Sequence, residues 1–252
     1  MKHEELLSGL KRLHLHQIAK DYVEASRSAE KEKNTYEQYL ANLTQIELQA
    51  KHRLKVERLA RTAKMPLRKS IATYNFAMRT GITAQEFSRL ATGDFVKENA
   101  NVVFFGGFGM GKTHLATALI EALCENGLRC LFTTAHGLIN QLTLAKRDLT
   151  LTSLLKRLDK YDVIACDELG YVPHDPDGAD LFFQLISQRA ERRSIIITTN
   201  LTFSEWEQVF LNPRTTAAAV DRIIYKCDTF NIAGSESFRS QEAKKKLKAK
   251  SI

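Results

Sequence analysis

Gly106-Gly107-Phe108-Gly109-Met110-Gly111-Lys112-Thr113 is the stretch on which the reading of this chain turns. The apolar run Val102-Val103-Phe104-Phe105 precedes it, and His114-Leu115-Ala116-Thr117-Ala118-Leu119 follows with the texture of a helix. Strand, loop and helix in that order, with the loop matching G-x-x-x-x-G-K-[ST] without a gap, predict a phosphate-binding loop. The spacing has a physical reason. Gly107, Gly109 and Gly111 let the backbone wrap tightly, so that successive N–H groups converge on a phosphate. The helix N-terminus adds partial positive charge. Lys112 reaches the β- and γ-oxygens and the Thr113 hydroxyl is a ligand for Mg²⁺. Residues Gly106 through His114 are thus expected to line the phosphates of ATP.

Two further strand ends point to the same edge. Val163-Ile164-Ala165-Cys166 is a buried-strand pattern closed by Asp167 and Glu168. In an open parallel sheet, ligand chemistry sits at the carboxyl ends of the strands. Asp167 is expected to hold Mg²⁺, directly or through water, and Glu168 to polarise the attacking water. Ile195-Ile196-Ile197-Thr198-Thr199 is another such run, and Asn200 after it is placed to present an amide to the γ-phosphate and the water.

From residue 101 onward, short apolar runs alternate with helical patterns. The runs are 102–105, 130–133, 163–166 and 195–199, with a weaker one at 229–233. The helical patterns are 113–126, 135–145, 151–159 and 178–190. Such alternation predicts an α/β fold with a parallel sheet of about five strands and helices on both faces. Residues 1–60 are different. Leu6, Leu10, Leu13 and Ile18, then Tyr36, Leu40, Leu43, Leu48 and Leu54, recur near helical spacing, and the first proline is Pro66. Asn34 or Thr35 is placed to cap a second helix. The expected organisation is a helical N-terminal module over 1–65, a basic connector over 66–98, an ATPase domain over 99–240 and a lysine-rich tail over 241–252.

The net charge of +8 is unevenly distributed. Eight cations lie between Lys51 and Lys69, against Glu57 alone. Arg58, Arg61, Lys64 and Arg68 recur at spacings of three and four, which places them on one helical stripe suited to the phosphate backbone of duplex DNA. The 252 residues, 44% hydrophobic and 26% charged, contain no apolar run of membrane-spanning length and no apolar signal core near Met1, so a cytoplasmic protein is expected. The four cysteines and seven histidines show no metal-ligand spacing.

Taken together, Gly-Lys-Thr-His-Leu-Ala, Cys-Asp-Glu-Leu-Gly-Tyr, Ile-Thr-Thr-Asn, Asp-Arg-Ile at 221–223 and Ser-Phe-Arg at 237–239 resemble the AAA+ family, and within it the IstB branch, related to the DnaC helicase loaders. The resemblance covers most of residues 1–245, with Phe108 standing where many AAA+ loops carry proline. It implies an ATPase that assembles on duplex DNA and recruits or activates the transposase of the same insertion element. It also implies an arginine finger at Arg222, reaching the ATP of a neighbouring subunit in a homo-oligomer, and a sensor arginine at Arg239. A replicative helicase loader shares every nucleotide motif and stays open as an alternative. A small-molecule kinase is a more distant one, disfavoured by Glu168 and by the lack of an acceptor-binding motif.

Overall fold

The computed structural model describes residues 3–66, 70–78, 80–171 and 175–234. The chain divides into two compact units, residues 1–58 and 59–252. The first contains α1 (His3–Arg12), α2 (His16–Glu32) and most of α3 (Tyr36–Thr62). Leu15, at the start of α2, offers no side-chain cap. Buried Glu47 of α3 does that work instead, accepting the Gln17 and Ile18 N–H groups at 2.8 and 2.9 Å. Thr35 and Gln38 exchange hydrogen bonds, each side chain accepting the other's backbone N–H, which starts α3 as the sequence suggests.

The second unit holds a parallel sheet of β1 (Asn101–Phe105), β2 (Cys130–Thr134), β3 (Val163–Asp167), β4 (Ser194–Thr199) and β5 (Cys227–Asn231), in the order β2-β3-β4-β1-β5. Alternate side chains leave on opposite faces. Val103, Ile164, Cys166, Ile195 and Ile197 join one core with α7 (Ala135–Arg147), α8 (Leu151–Leu158), α9 (Pro176–Arg189), α10 (Glu207–Phe210) and α11 (Pro213–Ile224). Val102, Phe104, Val163, Ala165 and Ile196 join the other, under α6 (Lys112–Glu125). Burial on both faces explains why these strands read as continuous apolar runs. Among the described residues no helix is long and apolar enough to cross a membrane.

Three features depart from the sequence reading. Residues 66–98, expected as a connector, contribute Phe87 and Leu90 of α4 (Ala84–Ala91) and Phe95 of α5 (Asp94–Lys97) to the second core. α4 opens with a capping box between Thr83 and Glu86. β5 begins two residues earlier than the apolar run, because Cys227 and Asp228 pair with Asn101 and Val102, while Ala233 leaves the sheet to bridge Thr80. α11, capped by the Asn212 side chain with Pro213 in its first turn, was not among the expected helices.

The edge of the sheet where the strands begin is pinned by Arg189 at the end of α9. Its buried guanidinium donates to the carbonyls of Leu158, Tyr161, Asp162 and Ser194, at 3.0 to 3.2 Å. Burial lowers its pKa to about 10, which leaves it charged near neutrality. Arg189→Met keeps the apolar stem and removes a donor from four carbonyls, of which those of Leu158 and Asp162 keep the N–H groups of Tyr161 and Ser194. The expected loss is about 3 kcal/mol of unfolding free energy, measured by urea titration; a variant as stable as the parent contradicts the pinning role.

Candidate nucleotide site

The phosphate loop leaves β1 at Gly106, whose N–H donates to Thr199 O at 3.2 Å. Gly106 has φ 145°, and a Cβ there would lie 2.1 Å from the Ile232 carbonyl oxygen. Gly109 and Gly111 have φ of 70° and 96°, the left-handed region that side chains disfavour. A Cβ on Gly111 would also meet the Tyr74 ring at 2.9 Å. Gly107 is different from the expectation: a Cβ there would meet only Met110, at 3.8 Å, so the tight wrap rests on Gly106, Gly109 and Gly111. α6 begins at Lys112 with no side-chain cap, leaving its amino-terminal N–H groups to face a ligand.

Lys112 Nζ donates to the Gly106 and Gly107 carbonyls at 2.8 and 2.7 Å, so the ammonium lies folded onto the loop it is expected to serve. The His114 ring bonds the Ser70 carbonyl at 3.0 Å and meets Tyr74 edge-on. A phosphate role for His114 therefore falls to its backbone. Phe108 and Met110 complete the loop; the Phe108 ring is exposed and stands 6.0 Å from the exposed ring of Tyr171.

Across the loop, Thr113 Oγ1 donates to Asp167 Oδ1 at 3.1 Å. Thr198 Oγ1 donates to the same oxygen. Asp167 is 4% exposed, and burial raises its pKa, with the Thr198 and Thr113 hydroxyls acting against the rise. Glu168 is exposed and has φ 59°; its N–H donates to Thr198 Oγ1 at 3.0 Å. Asn200 follows β4 with its amide over Gly170, where a Cβ would come within 2.1 Å of Asn200 Oδ1. The fold thus gathers Lys112, Thr113, Asp167, Glu168 and Asn200 at the ends of β1, β3 and β4. Thr113 and Asp167 fit Mg²⁺: they are hard oxygen donors side by side, one of them a carboxylate, beside a loop shaped for phosphates.

Arg222 stands elsewhere. Its Nη1 donates to Ala218 O at 2.8 Å and its guanidinium lies 5.2 Å from the Phe183 ring centre. The next residue, Ile223, accepts from Asn101 Nδ2 at 3.0 Å, at the start of β1. The phosphate loop follows the other end of that strand, roughly 13 Å away at about 3.3 Å per residue. Arg222 is therefore at the sheet edge opposite its own loop. Arg239 lies outside the described residues. Of the basic stripe, Arg58 and Arg61 are exposed on α3, but the helix ends at Thr62 and Lys64 has φ 58°. Pro66, without an N–H and restricting the residue before it, accounts for the early stop. The single helical stripe is thus corrected to two helical arginines and an exposed Lys64 in the turn after them; Arg68 lies outside the described residues.

Two elements of the site escaped the sequence reading. Thr198 reads only as part of the polar end of a buried strand, and nothing local distinguishes it from its neighbour Thr199. A groove of about 520 Å³ is lined by Phe76, Thr80, Ile82, Thr83 and Glu86, among others. It borders the loop, since the Phe76 ring is 4.8 Å from that of Tyr74, and Gly81 and Gly106 both abut the backbone at 231–232. The one signal for it was Gly81, whose added Cβ would stand 1.9 Å from Asn231 O.

Comparison with known proteins agrees with this architecture. The IstB-like ATP binding protein family matches residues 8–247. An insertion sequence IS21 ATP-binding protein of Pseudomonas aeruginosa is 36% identical over 96% of this chain and 90% of its own length. An insertion sequence IS232 ATP-binding protein of Bacillus thuringiensis is 32% identical over 95% of this chain and 96% of its own. Among solved structures, the DnaC helicase loader superposes with a TM-score of 0.52 and 25% identity, over 68% of this chain and all of that one. The chain belongs to the IstB-like ATP binding protein family, with its phosphate loop carried on an AAA+ core.

Proposed function

We propose that this protein is a cytoplasmic, Mg²⁺-dependent ATPase that assembles as a homo-oligomer on duplex DNA and recruits or activates the transposase of its insertion element. The observation that carries the ATPase reading is the placement of the paired acids: Asp167 against Thr113, and Glu168 at the same strand end, beside an uncapped helix N-terminus. The loop N–H groups and Lys112 hold the β- and γ-phosphates, Lys112 exchanging the Gly106 and Gly107 carbonyls for phosphate oxygens. Thr113 and Asp167 would hold Mg²⁺, which supplies neutralisation of the charge on those oxygens. Glu168 takes a proton from the water as its oxygen bonds to the γ-phosphorus and the bond to the β-phosphate oxygen breaks, releasing ADP. Asn200 orients that water, and the groove at Phe76 and Ile82 receives the base. The transposase part of the reading rests on relatives named for insertion sequences, which the chain matches nearly end to end. The likeness to the DnaC helicase loader supports a second reading, in which the partner is a replicative helicase. Pull-down against purified helicase and purified transposase separates the two.

Lys112→Ala is expected to weaken binding of a fluorescent ATP analogue by about ten- to a hundredfold, the worth of a charged hydrogen bond. Glu168→Gln is expected to bind the analogue normally and hydrolyse ATP at least about a hundredfold more slowly, as loss of a general base demands. Unchanged binding and hydrolysis in Lys112→Ala overturn the phosphate-loop assignment, and phosphate release at the parent rate in Glu168→Gln means that another group is the base.

The position of Arg222 at the edge opposite its own loop supports a role in trans. Arg222→Ala is expected to bind the ATP analogue and lose hydrolysis in the assembled state. Mixed with Lys112→Ala, it should recover part of the rate, because some junctions then combine an intact loop with an intact arginine. Mixed oligomers without recovery argue against a shared site.

Binding through Arg58, Arg61, Lys64 and Arg68 is expected to be salt-dependent and nearly independent of sequence, with log affinity falling by about 0.9 per log unit of salt for each phosphate contact. Each contacting residue replaced by Ala should lower that slope by roughly one. Fluorescence anisotropy on two unrelated duplexes measures both. Unchanged affinity and slope after all four charges are reversed place the DNA contact elsewhere.

A further inference from the structure

The ATPase reading leaves the hydroxyl of Thr198 without a role, on a side chain 1% exposed where β4 turns from apolar to polar. A threonine hydroxyl has one hydrogen and two lone pairs. Here the hydrogen goes to Asp167 Oδ1, and a lone pair accepts the Glu168 N–H at 3.0 Å. The carbonyl of the same residue accepts the Leu169 N–H at 2.9 Å. Residue 198 therefore holds 167, 168 and 169 in succession.

Its place in the sheet explains why a side chain is needed. The β3–β4 ladder runs from Val163 opposite Ser194 to Cys166 opposite Ile197. β3 continues one residue further in its pairing with β2, where Asp167 is opposite Thr134. At that point β3 departs from β4, and the Thr198 side chain, with the Thr198 carbonyl to the Leu169 N–H, ties the two together. The next residue, Glu168, adopts φ 59°, a left-handed conformation uncommon for residues other than glycine. Asp167 Oδ1 also accepts from Thr113. The hydrogen bonds therefore run without a break from the phosphate loop, through Asp167 and Thr198, to the backbone of Glu168.

We propose that Thr198 is a positioning residue for hydrolysis: it fixes the backbone from which Glu168 addresses the water and joins that backbone to the loop through Asp167. The proposal rests on the ATPase reading and assigns no proton transfer to Thr198. Asn200 and Lys112 meet the substrate; Thr198 acts only through the two acids.

The test uses the full-length chain and three variants at this position. Thr198→Val keeps the shape and removes the hydroxyl. Its kcat is expected to fall about ten- to a hundredfold, the range that a misplaced reacting group can cost, while affinity for a non-hydrolysable ATP analogue changes less than threefold. Thr198→Ser restores the hydroxyl and should recover most of kcat. In a double-mutant cycle read by single-turnover hydrolysis, Thr198→Val should have little further effect in the Glu168→Gln background. A packing role alone predicts the reverse: both variants lose melting temperature, kcat follows the folded fraction, and the effects of Thr198 and Glu168 add. Additive effects, a Val variant at the parent kcat, or a Ser variant as slow as Val overturn the proposal. If Thr198→Val fails to retain analogue binding, Thr198→Ala, which only removes atoms, is judged by the same cycle. No hydrolysis by the parent chain sinks the ATPase reading itself, and full activity in Lys112→Ala or Glu168→Gln sinks the placement of the site; inactive controls beside a fully active Thr198→Val sink only the role of Thr198.

Discussion

A carboxylate taken out of water must be compensated, and Asp167 is nearly out of it. Two hydroxyls supply the compensation, Thr113 from the start of α6 and Thr198 from β4. The requirement reaches well beyond one residue. β4 lies between β3 and β1 in the sheet, so an acid at the end of β3 meets the phosphate loop after β1 only across β4. Whatever stands on β4 at that crossing has to accept or donate a hydrogen bond. The apolar strand Ile195-Ile196-Ile197 turns polar there, at Thr198, Thr199 and Asn200. Burial holds Asp167 above the usual carboxylate range, and the same burial makes a neighbouring cation welcome: Lys112 already acts against that rise.

The loop and its surroundings are fitted by backbone as much as by side chains. Gly81 and Gly106 each allow a chain segment to approach the carbonyls at 231–232 more closely than any Cβ permits. Tyr74 thereby lies against the phosphate loop, on Gly111 and His114. A segment that composition marks as a basic connector thus lines a groove beside the phosphate loop. At the opposite edge of the sheet, Asn101 bonds both Ile195 and Ile223, holding the end of α11 and with it Arg222. The separation between Arg222 and its own loop follows from the length of β1, a fixed distance that no side-chain rearrangement closes.

What was legible in the sequence was local. Gly-Gly-Phe-Gly-Met-Gly-Lys-Thr between an apolar run and a helix, Asp167-Glu168 after a run of four apolar residues, and Asn200 after another are each decided within about ten residues. Five strands and the four helices between residues 112 and 189 came out of the same reading, within two residues at most strand starts. α11 did not: its buried residues are Thr216, Ala219 and Ile223, of which only the last is a large apolar side chain. The helical stripe of Arg58, Arg61, Lys64 and Arg68 was drawn through a helix end: spacings of three and four hold only while the helix lasts, and Pro66 ends it early.

The sequence by itself determined the chemistry available, namely a phosphate loop, two acids and an amide at strand ends, because each motif folds from near neighbours. The tertiary structure alone decided the strand order, and with it three things. Thr198 became the tie between the acids, Phe76, Thr80 and Ile82 came to line a groove, and Arg222 came to lie away from its own loop. Each of these depends on pairs such as Asp167 with Thr198 or Gly106 with Ile232, separated by 31 and 126 positions in the chain. Periodicity reports which face of an element is buried, and it carries no information about which distant element will cover that face.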